Sequence, residues 1–336
     1  MKTQRLQPDE KGIAEAIRIL KGGGIVAVPT ETVYGLAASA YDDEAIRKVF
    51  EAKGRPQDNP LIVHIANETM LRTVVREVPA AAEKCAAAFW PGPLTMVLKK
   101  SGAVCNRVCA GLDTVAVRMP SQPTVLQIIR EGNLPLAAPS ANLSGAPSPT
   151  TATDVLADMD GRIDAVMMGE ECRYGVESTV LSLFEEQPRI LRPGAVTPEQ
   201  LSKILPGLII DPAVLSEPAK NAKVASPGMK YKHYAPKAEM ILVEGSVEAF
   251  CAYVNRQEDG AAICFEEDRP HLTGPALVYG RQSDPFSLAH NLFSVLRKTD
   301  RLGIQKGYVH APEKNGVGLA VYNRVIRSCA FRVVKV

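Results

Sequence analysis

The segment GIVAVPTETVYGL (residues 24–36) decides how the first part of the chain folds. Its first seven residues, GIVAVPT, form an apolar run without alternation, which predicts a strand that is buried on both faces. Polar side chains follow where this strand ends, namely Thr30, Glu31, Thr32 and Tyr34. Because ligands of open α/β sheets collect at the carboxyl ends of strands, the segment indicates either a binding site or an ordinary turn.

Helix-like segments lie on both sides of this strand. Residues 9–21 place Ile13, Ile17 and Leu20 on one helical face, and residues 42–54 form a second helical pattern that ends at Gly54. A third helix is predicted over 121–132, and a fourth begins at Thr197 with a capping-box pattern. Further strands are predicted over 61–66, 94–99, 114–119, 136–139, 165–168, 178–183 and 190–192. This alternation predicts an α/β fold with a mixed sheet.

The composition changes after residue 205. Residues 206–239 are rich in Pro, Lys and Ala and have little periodicity, which predicts a long linker of the kind that is often functional. A second α/β unit is predicted beyond it, with strands at 240–245, 261–265 and 276–280 and helices at 246–256, 286–301 and 319–330. Because 336 residues are many for one core, we predict a domain over 1–205, a linker or lid over 206–238 and a C-terminal domain over 239–336.

The overall composition is that of a soluble globular protein, with 46% hydrophobic and 23% charged residues. The 39 basic and 37 acidic residues lack the basic excess of a nucleic-acid-binding protein. The chain begins without the apolar core of a signal peptide, and no apolar run approaches the roughly 20 residues of a membrane span. An odd number of cysteines, seven, without a C-x-x-C pair indicates a reduced compartment. We therefore predict a cytoplasmic protein that does not associate with membranes.

A metal site is not predicted. Cys105 and Cys109 are four residues apart, but no histidine lies near them in the sequence. The chain also lacks the phosphate loop G-x-x-x-x-G-K-[ST], the nucleophile motif G-x-S-x-G and the zinc motif H-E-x-x-H. Covalent serine hydrolysis and zinc hydrolysis are therefore not supported.

The segment KGRPQDNPL (53–61) carries two cations, Lys53 and Arg55, on a loop that Pro56 and Pro60 stiffen. Such a pair suits a polyphosphate, although a solvated basic loop is the structural alternative. Arg118 lies within the apolar run TVAVRMP, where a buried guanidinium needs an anion, either a protein carboxylate or a substrate. His64 lies within another apolar strand, where a histidine usually has a structural role.

Small polar residues and cations recur at further strand ends, in PSAN (139–142), ESTV (177–180) and LRPG (191–194). Ser140 and Asn142 offer hydrogen-bond donors for phosphate or ribose. Together the motifs predict a site for a nucleotide and a small anion that includes Lys53, Arg55, Arg118, Ser140, Asn142 and Arg192.

These motifs, in this order, resemble the YrdC-type threonylcarbamoyl-AMP synthases. SPGMKYKHYAP (226–236) is similar to the linker of the long, two-domain form of that family, and GVGLAVYNR (316–324) to the end of its second domain. The resemblance implies a YrdC-like twisted, mixed open sheet with helices and a smaller, Rossmann-like α/β C-terminal domain. It also implies a nucleotidyltransferase that makes L-threonylcarbamoyl-AMP and pyrophosphate from L-threonine, bicarbonate and ATP, the first step of threonylcarbamoyladenosine modification of tRNA.

The resemblance further implies a role for individual residues. Those expected to bind L-threonine are Thr32, His64, Arg118, Ala138 and Ser178, with Arg118 on the substrate carboxylate. Those expected to bind ATP are Arg55, Asn59, Thr114, Ser140, Asn142, Ser148, Arg192 and Tyr231, while Lys53 and Arg55 are the catalytic candidates. Tyr231, in the linker, is expected to cover the nucleotide. Mg²⁺ is expected on the triphosphate, and the expected partners are tRNA-modifying transferase proteins, with tRNA itself a further candidate.

Two other functions remain open. An RNA-binding regulator of translation would use the basic concavity of such a fold, but the near-neutral charge and the lack of aromatic stacking motifs count against it. A carbamoyl-adenylating enzyme that uses carbamoyl phosphate, as in hydrogenase maturation, contains a related domain. The C-x-x-C pairs of the zinc fingers in such enzymes are missing here.

Overall fold

The structure, a computed structural model, describes residues 2–216 and 234–336. Within these residues the chain forms an eleven-stranded sheet and a five-stranded sheet. The strands of the first sheet are β1 (Gln4–Leu6), β2 (Val26–Val28), β3 (Gly35–Ser39), β4 (Ile62–His64), β5 (Leu94–Lys99), β6 (Thr114–Arg118), β7 (Leu136–Ala137), β8 (Ala165–Met167), β9 (Thr179–Ser182), β10 (Arg189–Arg192) and β11 (Ile209–Ile210). The helices of this part are α1 (Glu10–Lys21), α2 (Asp43–Lys53), α3 (Glu68–Val74), α4 (Ala80–Phe89), α5 (Pro123–Gly132), α6 (Ala152–Met159) and α7 (Pro198–Ser202).

The first sheet mixes parallel and antiparallel neighbours in the order β1-β8-β2-β3-β7-β4-β6-β5-β9-β10-β11. Every residue of β2, β4 and β8 is buried, as the apolar runs of the sequence predict. The predicted mixed α/β sheet is therefore confirmed. The expected helices over 9–21, 42–54 and 121–132 are present as α1, α2 and α5.

Local capping explains where two of the helices begin and end. Helix α2 begins after Asp42, whose carboxylate accepts hydrogen bonds from two backbone N–H groups, and it ends at Gly54, which has a left-handed φ of 61°. Helix α7 begins at the predicted capping box. The Thr197 hydroxyl accepts a hydrogen bond from the Gln200 N–H, and the Gln200 side chain accepts one from the Thr197 N–H.

The second sheet is smaller and entirely parallel, in the order β14-β13-β15-β12-β16. Its strands are β12 (Glu239–Glu244), β13 (Ala261–Phe265), β14 (Ala276–Gly280), β15 (Lys306–His310) and β16 (Val333–Lys335), and its helices are α8 (Val247–Val254), α9 (Pro285–Arg301) and α10 (Gly316–Ser328). This arrangement confirms the expected smaller, Rossmann-like α/β unit.

The structure differs from the sequence-based prediction in the segment after residue 205. Strand β11 lies within the predicted linker, yet it pairs in parallel with β10 and extends the first sheet. Two residues are too few to give a periodic pattern, so the sequence does not reveal this strand. Residues 217–233 lie outside the described residues, and the domain boundaries at 205 and 238 stay predictions.

Direct contacts join the two units. Val33 and Val176 belong to the core cluster of the second unit. Arg297 on α9 forms an ion pair of 2.8 Å with Asp158 of the first unit. The N–H of Gly316, at the start of α10, donates to the carboxylate of a glutamate on α7 at 3.2 Å. The second unit is thus packed against the first at several separate points.

The described part of the chain has free thiols and no membrane-spanning helix. No helix there is both long and apolar enough to cross a bilayer. No group of three or more His, Cys, Asp or Glu side chains in residues 2–216 and 234–336 is placed to hold a metal ion. All seven cysteines are free thiols, and six of them are buried as small core residues.

Candidate functional site

A cleft with about 740 Å³ of empty space lies at the junction of the first sheet and the second unit. The predicted site residues that line it are Thr32, Lys53, Arg55, His64, Arg118, Ala138, Ser140, Asn142, Ser148, Ser178 and Arg192. The described lining residues include four cationic side chains against one carboxylate, that of Glu177. The cleft is therefore suited to an anionic ligand.

The sheet topology brings the residues expected to bind threonine to one place. Strands β4 and β6 are parallel, and His64 and Arg118 are register partners at their carboxyl ends. The Arg118 Nη1 donates to the Thr32 hydroxyl at 2.9 Å. Ser178 precedes β9, which runs parallel to β5, and its hydroxyl lies 2.7 Å from the hydroxyl of Thr95 on β5. Since Thr95 is the register partner of Arg118, Ser178 lies at the same edge.

The anion that the buried Arg118 needs is supplied by the protein itself. Its Nη2 lies 2.7 Å from Glu31 Oε1, and both side chains are less than a tenth exposed. The angles of this contact are outside hydrogen-bonding geometry, and neither carboxylate oxygen of Glu31 has a hydrogen-bond partner among the described residues. The contact is thus a buried charge pair. Glu31 belongs to the segment of residues 24–36, but the sequence alone could not identify it as the partner of Arg118.

His64 is almost completely buried between its neighbouring strands. Burial, together with the positive charge of Arg118, lowers the pKa of its imidazole to about 3. His64 is therefore neutral at physiological pH. Its Nδ1 is buried and has no hydrogen-bond partner among the described residues, and His64 is one of the residues that line the cleft.

Lys53 is not the loop cation that the sequence predicts. It is the last residue of α2 and is buried, and its ammonium donates to the backbone carbonyls of Ser140 and Asn142 at 2.5 and 2.6 Å. Its own carbonyl accepts from the Ser144 N–H at 2.8 Å. Burial and the charge of Arg55 lower the pKa of Lys53 well below its usual value. Lys53 therefore fixes the turn that carries Ser140 and Asn142, and it also lines the cleft.

Arg55 follows Gly54 and is half-buried at the same end of the cleft. Its guanidinium donates to the carbonyls of Asn59 at 3.3 Å and Pro60 at 3.1 Å, so the loop orients it. The Asn59 side chain does not line the cleft, nor does Thr114, which lies at the opposite end of β6 from Arg118. Tyr231 lies outside the described residues. The ATP-binding roles of Asn59, Thr114 and Tyr231 stay predictions.

Arg192, which is expected to bind ATP, is hydrogen-bonded to Ser178, which is expected to bind L-threonine. Its Nε donates to the Ser178 carbonyl at 3.1 Å and its Nη2 to the Ser178 hydroxyl at 3.3 Å. Burial lowers the pKa of the Arg192 guanidinium. Ser178 is also bonded to Thr95. The bonds of Arg192 to Ser178 therefore connect the residues expected to bind ATP with those expected to bind L-threonine.

The lining residues that were not predicted as site residues include two titratable side chains, Glu177 and Tyr234. Glu177 accepts a hydrogen bond from the Ser148 hydroxyl at 2.6 Å and one from Arg324 Nε of α10 at 2.9 Å. Burial opposes ionisation of Glu177, but the charges of Arg324 and Arg192 outweigh it and lower the pKa of Glu177. Tyr234 is buried beside the cleft, and the following N–H, of residue 235, donates to the carbonyl of residue 145 at 2.9 Å. Partners 147 residues apart, as Glu177 and Arg324 are, leave no local signal in the sequence.

The arrangement favours binding and charge neutralisation over covalent catalysis. In the described lining the one carboxylate is already engaged by Ser148 and Arg324, and Lys53 donates to two carbonyls. Buried cations and oriented donors in a partly enclosed cleft stabilise negative charge that develops on a bound substrate. The geometry thus fits a reaction between anionic substrates that requires positioning.

Comparisons with known proteins identify the family of the chain. Residues 18–194 match the family of Sua5, YciO and YrdC proteins described as "Telomere recombination", and residues 196–330 match "Threonylcarbamoyl-AMP synthase, C-terminal domain". The chain is 43% identical to threonylcarbamoyl-AMP synthase of Pyrococcus abyssi, with 98% of this chain and 97% of the relative covered. It is 41% identical to the Bacillus subtilis protein of the same name, with 99% and 97% covered.

A solved structure is similar over the whole chain. The crystal structure of Pyrococcus abyssi Sua5 complexed with L-threonine superposes with a TM-score of 0.90 at 41% identity, and all of both chains is covered. Both the sequence and the structure therefore match over the two units together. The chain belongs to the threonylcarbamoyl-AMP synthase family, in its long, two-domain form.

Proposed function

We propose that this chain synthesises L-threonylcarbamoyl-AMP and pyrophosphate from L-threonine, bicarbonate and ATP. The observation that carries the proposal is the cleft itself, in which an Arg118-centred group and a Lys53-centred group lie together in one positively charged space. The relative that was crystallised with L-threonine has the same fold over its full length.

L-Threonine binds at the Arg118 end of the cleft in this proposal. The guanidinium of Arg118, already paired with Glu31, attracts the substrate carboxylate, while the hydroxyls of Thr32 and Ser178 provide polar contacts. His64 contributes a neutral imidazole, since the pKa of about 3 excludes a second positive charge there. A neutral imidazole accepts or donates a hydrogen bond without competing for the carboxylate.

The reaction joins three substrates without a protein nucleophile. The threonine amine adds to bicarbonate, water leaves, and a carbamate forms. An oxygen of the carbamate attacks the α-phosphorus of ATP, the bond to the β-phosphate oxygen breaks, and pyrophosphate leaves with the electron pair. Such phosphoryl chemistry depends on positioning and on neutralising charge. Lys53, Arg55 and Arg192 line the cleft where these charges would lie.

Mg²⁺ is the expected companion of ATP, but the described lining residues do not form a protein site for it. Mg²⁺ in proteins is usually held by one or two carboxylates together with substrate phosphates. The one carboxylate in the described lining, Glu177, is bonded to Ser148 and Arg324. We therefore propose that Mg²⁺ enters with the triphosphate and that none of the carboxylates in the described lining of the cleft ligates it.

The wider role follows from the family. We propose that the reaction takes place in the cytoplasm and that the product is transferred to a tRNA-modifying threonylcarbamoyl transferase. The linker end at Tyr234 and Ala235 supports a role for this segment at the nucleotide, because Tyr234 lines the cleft and Ala235 is bonded to Gly145.

Pyrophosphate release tests the proposal. With ATP present, release is expected only when both L-threonine and bicarbonate are supplied, and mass spectrometry should detect threonylcarbamoyl-AMP. Release that ignores L-threonine would contradict the proposal. Release that requires carbamoyl phosphate instead would favour the alternative adenylating enzyme.

A pair of variants assigns the phosphate site. Arg55→Gln is expected to lower kcat/KM for ATP by roughly 100-fold, because it removes an oriented cation from the phosphates. Arg47→Gln is the matched control, since Arg47 lies on the solvent side of α2 and pairs with Glu44. Equal activity of the two variants would show that Arg55 does not contact the phosphates.

A further inference from the structure

Arg324 is a buried arginine that crosses from the second unit into the first. It lies on α10, has no exposed surface, and is the largest fully buried side chain among the described residues. A fully buried guanidinium is retained only where acceptors satisfy its N–H groups. Its acceptors therefore show what this side chain holds in place.

The acceptors belong to two motifs of the first unit, apart from the Asn323 side-chain oxygen on α10, which lies 3.1 Å from Nη1. Arg324 Nε donates to Glu177 Oε2 at 2.9 Å and Nη2 to the Glu177 carbonyl at 3.1 Å. Nη1 donates to the Pro193 carbonyl at 2.5 Å. Glu177 directly precedes Ser178, and Pro193 directly follows Arg192. One side chain of the second unit thus holds in place two segments of the first unit, the one that contains Ser178 and the one that contains Arg192.

The contact continues to the nucleotide side through Glu177. The second carboxylate oxygen, Oε1, accepts from the Ser148 hydroxyl at 2.6 Å, and both residues line the cleft. A chain of direct hydrogen bonds therefore runs from α10 through Glu177 to Ser148. Arg324 itself does not line the cleft, so it acts only through these partners.

We propose that Arg324 is a positioning residue through which the second unit completes the active site, holding Glu177 so that Ser148 and the Ser178–Arg192 pair face the substrates. The proposal rests on the proposed function and adds a specific role for the second unit. Without Arg324 the first unit would still contain every lining side chain named above except Tyr234, but Glu177 would no longer be held in its position.

The electrostatics of Glu177 give this role a measurable signature. The charged and titratable groups that face it are Arg324 on α10, Arg192 on β10, Lys53 on α2 and Tyr234. Burial alone raises the pKa of this carboxyl, and Arg324 is the strongest charge that opposes burial. Loss of Arg324 is therefore expected to raise the pKa of Glu177, so that the carboxyl becomes protonated as the pH falls.

The experiment uses the full chain with Arg324→Met and measures both the KM for ATP and ATP affinity by calorimetry from pH 6.0 to 8.5. We expect the KM and the dissociation constant to rise by about 10-fold at pH 6, as for the loss of a hydrogen bond to a charged group, and to recover as the pH rises. The wild-type values are expected to stay constant over this range. The double variant Arg324→Met/Glu177→Gln should show the weakened affinity at every pH, because its neutral amide mimics the protonated carboxyl and no longer titrates.

Arg297→Met is the matched control. Arg297 is also a buried arginine of the second unit that pairs with a carboxylate of the first, Asp158, and it donates to the Pro147 carbonyl at 2.6 Å, but no hydrogen bond joins it to Glu177. This variant should lower Tm without creating a pH-dependent affinity. Equal effects of Arg324→Met and Arg297→Met at every pH, or a double variant that keeps the pH dependence of Arg324→Met, would overturn the proposal.

Two further measurements separate other outcomes. If Arg324→Met does not fold, Arg324→Lys replaces it, because the lysine retains one positively charged donor for Glu177. This variant is expected to bind ATP with the affinity of the wild type and without pH dependence. A loss of affinity that is the same at all pH values would contradict the proposal. Calorimetric ATP binding does not depend on turnover. A wild-type chain that binds ATP but releases no pyrophosphate with L-threonine and bicarbonate therefore contradicts the proposed function and still tests Arg324.

Discussion

Burial acts in different directions on the titratable side chains of the cleft. It lowers the pKa of His64 to about 3 and that of Lys53 well below its usual value. Glu177 is equally enclosed, yet the charges of Arg324 and Arg192 keep its pKa below the usual value. At neutral pH the cleft thus combines a neutral imidazole with an ionised carboxylate. Burial favours the neutral form of each group; the positive charge of Arg118 adds to this effect on the base His64, whereas the positive charges near Glu177 stabilise its carboxylate and outweigh burial.

The pH dependence of stability tests the state of His64. Below pH 6.5 the unfolded chain binds a proton at His64 that the folded chain does not, so this residue destabilises the fold as the pH falls from about 6.5 towards 3. Between pH 7.5 and 5.0 the contribution amounts to about 2 kcal/mol. From pH 7.5 to 5.0 the free energy of unfolding of His64→Gln should therefore fall by about 2 kcal/mol less than that of the wild type.

Urea unfolding followed by the fluorescence of Trp90, the one tryptophan of the chain, reports on the first unit and measures this difference. His271→Gln serves as the control, because His271 lies on the surface of the second unit. A wild-type chain and a His64→Gln variant with parallel pH dependences would show that His64 is protonated in the folded state.

Helix α2 shows how an element of the fold positions two cations at once. Its left-handed end at Gly54 lets Lys53 enter the core while Arg55 turns into the loop above the cleft. A β-carbon at Gly54 would meet no atom within 4 Å, so the glycine is required for its φ of 61° and not for space. The angle between the two cations therefore depends on this single backbone conformation.

Gly54→Ala should consequently destabilise the protein by about 1 kcal/mol and raise the KM for ATP more than the KM for L-threonine. Gly111→Ala is the control, since Gly111 also has a positive φ, 77°, and open space around it, but it does not lie between two residues that line the cleft, as Gly54 does. Unfolding measurements should show an equal loss of stability in the two variants. Steady-state kinetics should show a changed KM for ATP only in Gly54→Ala. An unchanged KM would show that Arg55 adapts to a shifted helix end.

The elements with a strong local pattern were predictable, and those without one were not. The apolar runs that contain His64 and Arg118 predict β4 and β6, and Gly54 predicts the end of α2. Strand β3, GLAAS, has glycine and alanine in place of β-branched residues, and α4, AAAEKCAAAF, lacks an apolar stripe, so neither follows from the sequence. The motifs predict most lining residues, but the pairing of Glu31 with Arg118 requires the folded sheet.

At the scale of the whole molecule the site depends on how closely the two units approach. Gly175 marks this approach, because a β-carbon there would lie 2.4 Å from the carbonyl oxygen of His290 on α9. The His290 Nδ1 also lies 3.1 Å from the Arg173 carbonyl. Nearby, Glu177 and Arg324 form the buried pair that reaches the cleft. Separation of the units at Gly175 should therefore affect substrate binding as well as stability.

Gly175→Ala tests this coupling against Gly303→Ala. Both glycines have a positive φ, 71° and 67°, so both variants bear a similar backbone strain. Gly303 has open space around it, whereas Gly175 is closely covered by the backbone of α9, so Gly175→Ala adds an overpacking cost of about 1–3 kcal/mol. We expect Gly175→Ala to have the lower Tm and a raised KM for ATP, while Gly303→Ala lowers Tm only. If the two variants match in Tm and in KM, the packing of α9 against residue 175 does not hold the site together.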